Sequence, residues 1–394
     1  MEKIAILITH GTDTLAWTHA FVRYAIKKNE INIAITGSQI PLPALPSFSD
    51  AYINIANSIL FLTHIVPPNV FTVFNYGTNA FSDSLHKVDR WNNKAFTGDA
   101  IASMEWGEVR NPGSDVKVFD QPVKLDKLYL LTTGGTIASS YNDKKTLSPV
   151  RTPILEEFLK IQLGDSFASM EEREALVIDS SDLTFDKMER IVNKTIACMH
   201  DSGYSEAYAD LNFDKNVRII YTDPFKTISD YQRDVEGASG VVIAGYGGGN
   251  INIETASAHS LLPLIKELIS QNIPVVLASQ VAVGVADFIY ENARFAIESG
   301  AISGVHLSLP EIQIRLAYLL GHKKQIEESA QKHKISYIAF FDRLFMSGMK
   351  FRTRKSKEMY KTLKGFMPSQ DDILAYLTFE ESVTFALNHE PYAH

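Results

Sequence analysis

The chain has 394 residues, 45% of them hydrophobic and 21% charged, with a formal net charge of -8. Such a composition fits a globular protein of two domains plus an appendage, large enough to bury its core without staples. The acidic balance excludes whole-chain attraction to nucleic acid or anionic lipid. The single cysteine, Cys198, excludes an intramolecular disulfide and a CxxC metal site, and its helical surroundings suit a buried small hydrophobe.

The chain opens on the apolar run Ile4–Ile8, too short for the core of a signal peptide. Similar β-branched runs follow at Ile31–Ile35, Val70–Phe74, Leu128–Leu131, Ala175–Ile178, Val217–Tyr221, Val241–Ala244 and Val275–Ala278. Continuous apolar runs of this length suit strands covered on both faces. Between them lie helical patterns over Leu15–Lys27, Tyr52–Leu62, Phe185–Cys198, Ile253–Ser270 and Ile289–Glu298. This alternation predicts an α/β fold of two domains with largely parallel sheets flanked by helices. No apolar run is long enough for a membrane span, so a cytoplasmic location is expected.

The polar stretch Asp201–Lys215 separates an expected first domain, 1–205, from a smaller α/β domain, 216–321. From His322 the pattern turns helical without strand signals, which defines an extension over 322–394. Its basic cluster, Lys350-Phe351-Arg352-Thr353-Arg354-Lys355-Ser356-Lys357, reads as a solvated helix face; interleaved Phe351 and Tyr360 leave a phosphate or RNA contact as the alternative. There is no GxGxxG spacing, GxxxxGK[ST] loop, GxSxG elbow or paired histidines at zinc spacing.

Two apolar runs end in the same kind of turn: Thr9-His10-Gly11-Thr12-Asp13-Thr14 and Thr132-Thr133-Gly134-Gly135-Thr136-Ile137-Ala138. In open α/β sheets ligands bind beyond the carboxyl ends of the strands. Glycine there permits close backbone approach, and turn N–H groups can face an anion. A third junction, Ile178-Asp179-Ser180-Ser181-Asp182-Leu183-Thr184, reads either as part of the same rim or as a cap in which Asp182 and Thr184 start the following helix. Together the three turns offer hydroxyl nucleophiles, a carboxylate and donors, but a threonine needs a neighbour to take its proton. His10 is the one histidine adjacent to either threonine turn. A lysine could serve instead, provided burial or charge lowers its pKa by about three units, roughly 4 kcal/mol.

These segments resemble those of bacterial-type L-asparaginases, closest to the cytoplasmic type I form. Thr133-Gly134-Gly135-Thr136-Ile137-Ala138 is similar to the first family signature and His10-Gly11-Thr12-Asp13-Thr14 to the second. Supporting segments are Thr36-Gly37-Ser38-Gln39-Ile40-Pro41-Leu42, Ser49-Asp50, Ile53-Asn54, Asp179–Leu183, Gly245-Tyr246-Gly247-Gly248-Gly249-Asn250 and Ala278-Ser279-Gln280. In the family the Gly-Gly-Thr signature precedes His-Gly-Thr-Asp. Here the order is reversed, so the first domain looks circularly permuted, with a joining loop near Asn111–Asp126.

The resemblance implies a threonine nucleophile, Thr136, that forms an acyl-enzyme with a side-chain amide. It makes Thr12, Lys87 and Asp13 a second hydroxyl–lysine–carboxylate set, with Asp13 also binding the substrate α-ammonium. Ser180 and Ser181 would hold the α-carboxylate, N–H groups near Gly11 and Thr12 would stabilise the oxyanion, and Gly11 and Gly135 count among the substrate-binding residues. Asn250 would complete the ammonium end, in the family often from a neighbouring subunit. The implied substrate is a small amino-acid amide and the implied assembly a homodimer or homotetramer; no metal or organic cofactor is needed.

Three departures stand out. Counting forward from Asn75 puts His86 at the lysine position, whereas counting back from Ala95-Phe96 puts Lys87 there. The flexible-loop tyrosine of the family falls on Leu147 by one alignment, with Tyr141 close to Thr136 as the other choice. The family's Asp-Gly pair reads Asp50-Ala51. Two further readings accompany asparagine hydrolysis: a non-catalytic amino-acid sensor or interaction protein on the same fold, and an amidase partner of a tRNA-dependent amidotransferase, since the archaeal amidotransferase D subunit resembles this motif set.

Overall fold

The computed structural model describes residues 2–74 except 44–46, 48 and 67, residues 122–149, and residues 165–388 except 255, 282–285, 287–289, 350, 352 and 370; between 75 and 121 only the backbone of short strands is described. The chain divides into two compact units, Met1–Leu211 and Asn212–His394.

The first unit is built on one sheet. Its strands are β1 (Ile4–Thr9), β2 (Asn32–Thr36), β3 (Val70–Phe74), β4 (Asn79–Phe81), β5 (Ala100–Glu105), β6 (Glu108–Arg110), β7 (Leu125–Gly134) and β8 (Phe167–Ile178). Their spatial order is β6-β5-β4-β3-β2-β1-β7-β8. The neighbours from β3 through β8 on that side are parallel, and β4, β5 and β6 add antiparallel. Helices α1 (Leu15–Ala25), α2 (Ala51–His64) and α3 (Phe185–Asp201) cover the sheet. Every residue of β1 is buried, as a strand covered on both faces requires. Leu7, Ala34, Phe71, Leu128 and Leu130 share one core with Ile55, Ile59 and Leu62 of α2. Helices α1 and α3 pack on each other, Phe21 meeting Phe185 edge-to-face at 4.9 Å.

The chain steps from β1 through α1 to β2 and through α2 to β3 in one direction, while β7 and β8 lie on the other side of β1. The direction of winding therefore reverses between β1 and β7, which pair in parallel register from Ile4↔Lys127 to Thr9↔Thr132. In open α/β sheets such a reversal marks the carboxyl ends of the strands as the place where ligands bind.

The second unit carries a parallel sheet in sequential order: β9 (Val217–Tyr221), β10 (Gly240–Gly245), β11 (Val275–Ser279) and β12 (Ile302–Ser303). Helices α4 (Ile228–Asp234), α5 (Leu262–Ser270), α6 (Glu291–Glu298) and α7 (Leu309–Gly321) accompany it. Helix α7 is buried from Leu309 to Leu320 apart from half-buried Gln313, so one covering layer is not enough. The helices that follow are α8 (Lys323–Lys332), α9 (Tyr337–Phe345), α10 (Arg354–Lys364), α11 (Ile373–Tyr376) and α12 (Phe379–Asn388). Helix α7 lies on β9, β10 and β11, packs on α9, and its Tyr318 ring meets Phe379 of α12 at 6.1 Å.

The sequence did not mark the strands Asn79–Phe81, Ala100–Glu105, Glu108–Arg110 and Ile302–Ser303, and two other elements differ from expectation for clear reasons. Strand β8 starts at Phe167 rather than Ala175; its first half, Ser169–Glu174, is polar because it lies on the sheet edge and pairs only with β7. The helix expected over Ile253–Ser270 forms only from Leu262, with Pro263 in its first turn. Before it, Asn252 Oδ1 accepts the Glu254 N–H and Leu261 N–H bonds back to the Asn252 carbonyl, which closes a turn instead. Among the described residues no helix is long and apolar enough to cross a membrane.

Candidate active site

Beyond β1 the chain turns at His10-Gly11. The His10 N–H continues the ladder to Thr36 O at 2.7 Å, and Thr133 Oγ1 donates to Thr9 O at 2.8 Å. Beyond β7, Gly135 has φ +75° and opens a short turn, Thr136–Ala138. Its N–H donates to Ile178 O at 2.8 Å, and Ser139 Oγ donates to its carbonyl at 2.8 Å. Beyond β8, Asp179 Oδ1 accepts the Ser181 N–H at 2.9 Å and the Ser181 hydroxyl at 2.8 Å, closing the turn Ser180–Asp182.

These three turns touch. A Cβ placed on Gly135 would stand 2.3 Å from Gly11 Cα, and one placed on Gly11 would stand 2.4 Å from both Cβ and Oγ of Ser180. Glycine is therefore required at both positions by the closeness of the loops themselves. Thr14 Oγ1 donates to Ser180 O at 2.7 Å and ties the third turn to the first. Thr12 and Thr136 each follow a glycine of this contact, and both are half-buried. Asp13 is exposed, Ser180 is buried and Ser181 is exposed. The capping alternative for the third turn fails in part: Thr184 stands at the N-cap of α3, but its side chain makes no capping bond.

His10 is fully buried, with Nδ1 2.7 Å from Gly11 O and Nε2 2.9 Å from Thr18 Oγ1. Burial lowers its pKa to about 4. A neutral ring with both nitrogens bonded inward cannot serve as the base for a rim hydroxyl. Lys87 and His86 both belong to the short strand Leu85–Lys87, and their side chains lie outside the described residues.

The segment after β2 lines the same end of the sheet. Both carboxylate oxygens of Asp50 accept the Gln39 N–H, at 2.9 and 3.1 Å, and Asn54 Nδ2 donates to Gly37 O at 2.9 Å. A Cβ on Gly37 would lie 3.5 Å from Thr12 Cγ2. Ala51 after Asp50 simply begins α2, so no glycine turn is called for. Ser139–Tyr141 and Leu147–Pro149 form a hairpin in which Tyr141 stands directly opposite Leu147. Both side chains are exposed. The two residues offered by the sequence for one role thus occupy one cross-strand pair.

Asn250 belongs to the second unit, at the end of the turn Gly247–Gly249 beyond β10; its side-chain oxygen is buried without a hydrogen-bond partner. Sequence reasoning missed Thr14 and the inward bonds of His10; the alternation of sides that would have placed the imidazole stops where the strand does. Among the described residues no group of His, Cys, Asp and Glu could hold a metal ion. The basic helix α10 turns Ser356 and Tyr360 inward, with the Tyr360 ring 5.6 Å from Phe351 and 5.8 Å from Phe366.

Comparison with known proteins extends this geometry. The family described as asparaginase, N-terminal, matches residues 2–124 and 127–205, and the glutaminase/asparaginase C-terminal domain matches 216–332. The chain is similar to an L-asparaginase of Thermococcus kodakarensis, 25% identical over 328 residues that cover 83% of this chain and 73% of the relative. It is similar to L-asparaginase 1 of Escherichia coli, 31% identical over 117 residues that cover 29% of this chain and 32% of the relative. The solved structure of the thermostable L-asparaginase from Thermococcus kodakarensis shares its fold with a TM-score of 0.51 at 20% identity, covering 84% of this chain and 74% of that one. With strand-end turns in contact and matches that span both units, this chain belongs to the asparaginase family.

Proposed function

We propose that the chain hydrolyses the side-chain amide of L-asparagine to L-aspartate and ammonia through a threonine acyl-enzyme. The observation that carries this reading is the contact of Gly11, Gly135 and Ser180, which gathers two threonine turns and a serine turn at one strand-end rim. The names of the relatives, all L-asparaginases, support the substrate.

In this reading Thr136 Oγ attacks the amide carbon. The carbonyl oxygen gains charge and is met by turn N–H groups near Gly11 and Thr12, each worth about 3–4 kcal/mol in other hydrolases. The tetrahedral intermediate expels ammonia, and water then releases aspartate from the ester. Thr12, Lys87 and Asp13 carry the hydroxyl proton of Thr136 to the leaving ammonia in the first step and activate the water in the second. The inward commitment of His10 favours an amine for this work, since the imidazole is spoken for. Ser180 and Ser181 hold the α-carboxylate, Asp13 the α-ammonium, and Asn250 the ammonium end from the second unit of a neighbouring copy. Tyr141 supplies the phenol of the hairpin from the strand opposite Leu147.

A permuted order of segments is part of the proposal. The N-terminal family matches in two pieces, and Tyr204, at the end of the second, donates its hydroxyl to Glu2 O at 2.7 Å, at the start of the first. In the unpermuted order the second piece would run on into the first, so the nearness of Tyr204 to Glu2 is what a cut at that point leaves behind, with the strand contacts kept.

Purified protein given asparagine is expected to release ammonia, and Thr136→Ala to abolish the release. Full activity in that variant would overturn the nucleophile assignment. Glutamine belongs in the same assay, because one methylene changes discrimination by only about 1–3 kcal/mol.

A further inference from the structure

A peptide unit is planar and trans, so its C=O and the N–H that follows point in opposite directions. Whatever fixes the Gly11 carbonyl therefore fixes the Thr12 N–H. Before this turn the His10 N–H continues the ladder to Thr36 O, and Thr9 O accepts from the Thr133 hydroxyl. The Gly11 carbonyl is held by the His10 side chain, with Nδ1 at 2.7 Å. A carbonyl oxygen only accepts, so Nδ1 carries the proton. With the ring neutral, Nε2 then accepts from the Thr18 hydroxyl at 2.9 Å. Thr18 lies in α1 and is fully buried, as is His10, so the bonded carbonyl points into the protein.

We infer that His10 is a positioning residue: by holding the Gly11 carbonyl inward it aims the Thr12 N–H out of the core, toward the strand-end rim where Gly11, Gly135 and Ser180 meet. Glycine at position 11 makes this necessary. Without a side chain, the Gly11–Thr12 peptide has rotational freedom that other residues lack, and a donor that must face a developing oxyanion works only when it is oriented beforehand. The relay Thr18 O–H to Nε2, Nδ1–H to Gly11 O joins α1 to the Gly11–Thr12 peptide without touching substrate. This role rests on the amide hydrolysis proposed above and assigns an orienting group to it.

Two substitutions separate the ring's two bonds. In His10→Asn the amide nitrogen stands where Nδ1 stands, so the bond to Gly11 O is kept and the bond to Thr18 is lost. In His10→Gln the amide reaches the Nε2 position, so the reverse holds. Steady-state kinetics on asparagine should show kcat within about three-fold of the parent for His10→Asn and about 10- to 100-fold lower for His10→Gln, with KM little changed in both. Equal losses in the two variants, or a loss shared between kcat and KM, would mean a merely structural histidine and overturn the inference. A parent chain without amidase activity would sink the proposed reaction alone. Crystals of His10→Gln decide the orienting role separately: a rotated Gly11–Thr12 peptide supports it, and an unchanged peptide overturns it.

Discussion

At the strand-end rim of the first unit, backbone meets backbone. Gly11 and Gly135 approach so closely that neither tolerates a Cβ, and the polar groups of the turns bond to one another. The helical extension of the second unit is fastened differently, by buried charge. Arg315 of α7 lies 3.0 Å from Asp372 and donates to Ser347 O at 2.6 Å and Ser347 Oγ at 2.9 Å. Asp342 accepts from Tyr360 and lies 3.1 Å from Lys364, which also donates to Ala301 O at 2.7 Å. Residues 301 and 315 lie inside the family's C-terminal domain, while 342, 347, 360, 364 and 372 lie beyond it. The rim is thus set by close packing that admits almost no other sequence. The extension is set by pairs that could be exchanged together for apolar groups of the same shape.

The largest effect should come from breaking the rim. Gly135→Ala combines a positive φ with a Cβ 2.3 Å from Gly11 Cα, and should cost upward of about 4 kcal/mol and all ammonia release. A stable, active variant would show that the turns do not need to touch. Next comes the extension. Asp372→Ala leaves the Arg315 guanidinium buried without its carboxylate and should lower the stability of the second unit by about 3–5 kcal/mol in urea, while Asp372→Leu with Arg315→Met should recover most of it. No recovery would place the extension in the same class as the rim.

Acid should separate the two regions by a smaller margin. His10 has a folded pKa of about 4 against about 6.5 unfolded. As pH falls between these values the unfolded chain takes up a proton that the folded chain refuses, so stability is lost, by about 3 kcal/mol if the full difference is expressed. Compared with His10→Asn, the parent should destabilise more steeply from about pH 6.5 to 4. Parallel curves would mean that His10 is protonated in the folded protein.

Much of this arrangement was legible in the residues. Apolar β-branched runs ending in Gly11 and Gly134-Gly135 mark strand ends, because strands covered on both faces leave little ambiguity and glycine marks where backbones crowd. Ser169–Glu174 was not legible as strand, since a sheet edge lets solvent take the polar side chains. Nor was the turn before Leu262, where the Asn252 side chain competes with helix for a backbone N–H. The choice between Tyr141 and Leu147 could not be made from spacing alone, because it turns on hairpin register, and in the register found the two are partners. The direction of the His10 side chain needed coordinates: a single residue past a strand end can face either way.

Thr12 and Thr136 are proposed to act together on one amide at the strand-end rim. The most direct measurement is kcat/KM for ammonia release by Thr12→Ala, Thr136→Ala and the double variant. Groups that act as a unit are strongly non-additive, so the double variant should be no slower than the worse single one. Losses that multiply, or a double variant that retains the activity of the parent, would contradict the shared site.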